Sequence, residues 1–181
     1  MVSKSLILTL FGIFILPGLL YAQTRQEGPV IADYGAVWPV DNPDYKTSLD
    51  ESLKVVFDIM NSPDSKSSLN ASIETAARFL NMHAQAGVPL NNLKVALVVH
   101  NKASKDIMTS ASYLKKYGVS NPNEDMVKAL LNAGVKIVFC GQSSFSRDFP
   151  REETIEGVQF GLSAMTALIQ LQNEGYRLVK F

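Results

Sequence analysis

The chain has 181 residues, with 17 basic and 17 acidic side chains and two histidines, so it carries no net charge near neutrality. That balance leaves no electrostatic footprint for nucleic acid or an anionic lipid surface, and neither is expected as a partner. Its single cysteine, Cys140, excludes an intrachain disulfide, a Cys-x-x-Cys dithiol and a structural zinc site built on several thiolates.

Met1-Val2-Ser3-Lys4 is followed by an apolar stretch from Leu6 to Leu16, a Pro17-Gly18 break and Leu20-Tyr21-Ala22. One positive charge, an apolar core too short to span a bilayer and a small residue before the cut spell a secretory signal peptide over residues 1–22. The expectation is export, to the periplasm if the source is a Gram-negative bacterium, with no membrane attachment after cleavage. Cleavage removes Lys4 alone among the charged residues and leaves about 159 residues, one domain's worth of chain. Residues 23–50 are rich in Pro, Gly, Asp and Asn yet carry Trp38 and Tyr45. This composition predicts an extended arm lying across the domain or a neighbouring subunit.

The folded domain is expected over residues 51–181. Leu53 to Ile59 is a β-rich run, closed by the turn cluster Asn61-Ser62-Pro63-Asp64. Leu69, Ile73, Ala76, Ala77, Leu80 and Ala84 recur at helical spacing, with Gly87 and Pro89 as the stop. Lys94 to His100 is a nearly all-apolar strand, as needed where both faces are covered. Ser104 is placed to cap a helix reaching about Lys116, ended by Gly118. A further helix begins near Pro122 and buries Met126, Val127, Leu130 and Leu131 before Gly134. Val135 to Cys140 is the third strand, and Gly141-Gln142-Ser143-Ser144 reads as a turn-like loop. Gly157 to Leu162 is a short strand, Ser163 a cap, Ala164 to Asn173 a helix, and Tyr176 to Lys180 the last strand. Strand and helix in alternation with short connections predict an α/β fold: a three-layer α/β/α sandwich on a mainly parallel five-stranded sheet.

Parallel strands bring their carboxyl ends to one edge, where open α/β sheets bind ligands. That edge should collect Ile59 to Asn61, His100 to Lys102 and Cys140 to Ser143. Cys140 is the candidate nucleophile, since backbone N–H dipoles at a following turn or helix start favour a thiolate. Its rival reading is a small buried hydrophobe. His100 is the candidate proton acceptor or hydrogen-bond donor to the sulfur anion. Gly141, Gln142, Ser143 and Ser144 supply amides and hydroxyls, Asn101 lies in the neighbouring loop, and Arg147 and Arg151 bring positive charge. Neither histidine has a second ligand at metal spacing, so no metal is expected. No glycine-rich dinucleotide fingerprint, phosphate loop or Gly-x-Ser-x-Gly elbow is present, and no cofactor is expected. Single-thiol chemistry or binding remains.

The segments Lys54-Val-Val-Phe-Asp-Ile59, Val98-Val-His100, Asn132-Ala-Gly-Val-Lys-Ile-Val-Phe-Cys140-Gly-Gln and Ser163 to Tyr176 together resemble the DsrE/DsrF-like proteins, over roughly Gly28 to the C-terminus. The resemblance implies a five-stranded α/β/α domain, assembly as a homotrimer or homohexamer, and, in sulfur-relay members, a cysteine carrying sulfur as a persulfide. Cys140 matches that position. Asn101 stands where glycine is common in similar sequences. The expected function is therefore an exported sulfur-handling protein, a persulfide carrier or sulfurtransferase, that exchanges sulfur with a donor or acceptor protein or a small sulfur compound. The alternative is a non-catalytic oligomeric module that binds a small molecule or protein and buries a structural cysteine.

Overall fold

Five short apolar runs pair into one all-parallel sheet: β1 (Leu53–Ile59), β2 (Leu93–Val99), β3 (Lys136–Cys140), β4 (Gln159–Gly161) and β5 (Arg177–Val179), in the spatial order β4-β3-β2-β1-β5. The helices are α1 (Ala71–Gln85), α2 (Ser110–Tyr117), α3 (Glu124–Asn132), α4 (Gly141–Arg147) and α5 (Ala164–Asn173). These elements come from a computed structural model that describes residues 23–180. The signal-peptide reading of residues 1–22 lies outside the described residues.

Period-two alternation sorts the strand side chains between two unequal cores. Val55, Phe57, Ile59, Val95, Leu97, Val99, Ile137 and Phe139 pack with Ile73, Ala77 and Leu80 of α1, Tyr113 of α2, and Met126, Val127 and Leu130 of α3. On the other face, Val56, Ala96, Val98 and Cys140 meet Ala164, Ala167, Leu168 and Leu171 of α5, with Val138 and Tyr176 beside them. The β1 and β2 runs are buried on both faces for this reason, which removes the polar alternation of a half-exposed strand.

Two stretches differ from their sequence-based expectation. Residues 101–107 form a 3₁₀ segment, and the helix expected from Ser104 starts only at Ser110, capped by Thr109, whose hydroxyl accepts from Ser112 N at 3.3 Å. Tertiary partners interrupt the helix: Asn121 Nδ2 donates to the carbonyls of Asp106 and Met108, and Met108 bridges Thr154. Gly141 to Ser144, expected as a loop, is the first turn of α4. That helix is closed by Asp148 in the left-handed region and by Phe149 N donating to Ser144 O. Pro122 precedes its helix, which begins at Glu124 after Asn123.

The segment from Val30 to Gly35 is tied to α1 by one side chain. Asn81, fully buried, accepts at Oδ1 from the amides of Val30 (3.2 Å) and Ile31 (2.9 Å). Its Nδ2 donates to the carbonyls of Ile31, Tyr34 and Gly35 at 2.9–3.2 Å. Gly35 has φ 73°, and a Cβ there would lie 2.5 Å from the backbone of Ala77, so only glycine fits this crossing.

Candidate functional site

Register places three strand ends side by side. Ile59 is level with Val99, and Val99 with Phe139, so His100 and Cys140 come next at the same height on adjacent strands. Because side chains alternate, Asp58, His100 and Cys140 all project to the face covered by α5, one from each of β1, β2 and β3. His100 Nε2 lies 2.7 Å from Asp58 Oδ1, and both side chains are largely buried. With Asp58 ionised, Nε2 carries the proton and donates it, which leaves Nδ1 as the ring's free nitrogen. Among the described residues Nδ1 has no hydrogen-bond partner.

Cys140 is 4% exposed and belongs to the small core under α5, among Val98, Ala164 and Ala167. It is also the residue from which α4 departs, and its sulfur makes no capping hydrogen bond. Gly141 is required there: a Cβ would meet Gly161 O at 2.8 Å and Leu162 O at 3.3 Å. The connection from β4 to α5 therefore lies directly against the residue that follows the sulfur.

The other sequence-predicted residues fall into two groups. Gln142 is exposed and its Nε2 donates to Leu162 O at 3.4 Å, on the Cys140 side. Ser143 Oγ accepts from Asn101 N at 3.0 Å, and Asn101 Oδ1 accepts from Arg147, so these three form one bridge between the 3₁₀ segment and α4. Ser144 Oγ donates to Phe149 O at 2.7 Å and is occupied in closing the helix. Arg147 is exposed and faces a concavity with Lys66, Lys102 and Lys105. Asn101 has φ 54°, in the left-handed region that glycine adopts freely and asparagine tolerates.

Asp58 escaped the sequence reading although it holds the histidine. The available signal was an acid near the end of an otherwise apolar buried run, Val55 to Ile59, which requires a partner on an adjacent strand. A separate concavity of about 580 Å³ opens between α1 and the ends of β1 and β5, lined by Ile59, Met60, Phe79, Met82 and Val179, with Arg78 among its polar groups.

An all-parallel five-stranded α/β/α domain with a lone thiol at the carboxyl end of an inner strand defines the class of protein. The chain belongs to the DsrE/DsrF-like family, whose profile matches residues 54–181. Two solved structures share the fold. The protein of unknown function MTH1491 from Methanobacterium thermoautotrophicum is 18% identical with a TM-score of 0.53. The ychN protein from E. coli is 20% identical with a TM-score of 0.52. Each similarity covers 71% of this chain and 99% of the other. No curated protein matches the chain.

Proposed function

We propose that this protein handles sulfur through Cys140, in the exported compartment addressed by residues 1–22, as a homo-oligomer. The observation that carries the reading is the row Cys140, His100, Asp58 on three neighbouring strand ends and one face of the sheet. Asp58 holds the imidazole by Nε2, and Nδ1 takes the thiol proton. The resulting thiolate attacks the outer sulfur of thiosulfate: a Cys140 S–S bond forms, the donor's S–S bond breaks, and sulfite leaves with the electron pair. Charge balances, and no oxidant is needed. The persulfide is then passed to an acceptor thiol. No second cysteine in the chain can expel the sulfur by forming an intrachain disulfide.

Intact-mass spectrometry after exposure to thiosulfate or polysulfide tests this. The expected result is an adduct of one sulfur on the wild type and none on Cys140→Ser; no adduct from any donor overturns the reading.

Burial of Cys140 favours a second reading, a binding module whose cysteine only packs, with the groove beside α1 as its ligand site. Thiol titration separates the two. A sulfur carrier reacts with small reagents while folded, whereas a packing cysteine reacts only after denaturation.

A further inference from the structure

On the face of the sheet opposite Cys140, the loop after β1, the 3₁₀ segment after β2 and the end of α4 enclose a second concavity of about 260 Å³. Its charged lining is Lys66, Lys102, Lys105 and Arg147 against a single acid, Asp64. Only Lys105 has an anionic partner: its Nζ lies 2.6 Å from Asp106 Oδ1, with both side chains buried. Asp106 is held in turn by Asn70 Nδ2 at 2.7 Å. Among the described residues, Lys66, Lys102 and Arg147 form no ion pair.

Two of these cations are nevertheless held in place. Lys66 Nζ sits 5.3 Å from the centre of the Tyr117 ring, which also lines the concavity. Arg147 is held by Asn101 Oδ1, on a backbone kept in the left-handed region. A non-glycine residue persists there only where its surroundings over-determine it. Lys66, Lys102 and Arg147 converge without acid partners, and the neutral groups that orient Lys66 and Arg147 leave their charge intact, so the three form a receptor for negative charge beside the already paired Lys105.

The geometry points to an anion site that takes a small oxyanion of charge two or more, phosphate- or sulfur-centred, on Lys66, Lys102 and Arg147. Strand alternation turns the Cys140 side chain to the opposite face, so the site stands apart from the thiol.

The test is made on Cys140→Ser, where covalent loading is absent. Sulfate, phosphate and thiosulfate are titrated separately and followed by backbone NMR, against sodium chloride at matched ionic strength. Saturable shifts confined to residues 62–66, 102–105 and 147–149 are expected with at least one oxyanion, and the tightest binder identifies the central atom. The double variant Lys66→Ala/Lys102→Ala should weaken binding by about tenfold or more, with exposed Lys115→Ala as an unaffected control. Asn101→Gly suits the local φ, so it should stay folded while releasing Arg147, and it should weaken binding severalfold. Shifts that never saturate, equal shifts with chloride, or undiminished binding by both pocket variants would overturn the site. Persistence of binding in Cys140→Ser keeps this outcome separate from failure of the sulfur reading.

Discussion

In the proposed sulfur transfer, Asp58 is the residue that fixes His100. A histidine on a strand end can rotate, and its two nitrogens differ in role only when something fixes one of them. The 2.7 Å contact with Asp58 does this by engaging Nε2. Asp58→Asn keeps the shape and removes the charge. We expect the ¹⁵N spectrum of His100 to change from a single tautomer to a mixture, with sulfur loading of Cys140 slowed about tenfold or more and the circular dichroism unchanged. A changed tautomer with an unchanged loading rate would remove His100 from the reaction.

At the scale of elements, the N-terminal segment depends on α1. Asn81 satisfies five backbone groups between Val30 and Gly35, of which Ile31 O alone has a second partner, the amide of Gly28. Asn81→Ala should cost about 2–3 kcal/mol, the penalty of leaving buried polar groups unsatisfied, and should raise hydrogen exchange selectively across residues 26–37. Unchanged exchange there would mean that packing of Ile31 and Val37 suffices. Element boundaries also show what was legible beforehand. Ser163 and Gly118 act locally, on amides or carbonyls within their own turns, so their helix ends could be read from the sequence. Residues 101–107 and α4 were not legible, because their backbone groups are claimed by Asn121, Ile155 and Phe149, residues distant in sequence or just past the expected turn.

For the whole molecule, the imbalance between the two faces matters most. Among the described residues, three helices cover one side of the sheet and α5 alone packs across the other. Met165 and Ile169 on its outward side and Leu162 just before it are each more than half accessible, as is Phe145 of α4 at 83%. Such a patch in a chain without net charge suits a second copy of the same surface. Met165→Asp/Ile169→Asp changes only exposed positions, so each chain should fold. By light scattering the proposed homo-oligomer should be reduced to single chains, and an unchanged mass would place the assembly surface elsewhere.

Local pattern determined much of this protein. Apolar runs, helical spacing and caps specify the strands, most of the helices and the parallel α/β layering, because each depends on neighbours within a few residues. Cys140 and His100 were also identifiable as strand-end residues with chemistry to offer. Tertiary structure alone decided the rest: that Asp58 holds His100, that Cys140 lies beneath α5, and that Arg147 joins three lysines on the opposite face. These depend on strand order and register, which bring together side chains tens of residues apart, and no local periodicity encodes which strand end becomes the neighbour of another.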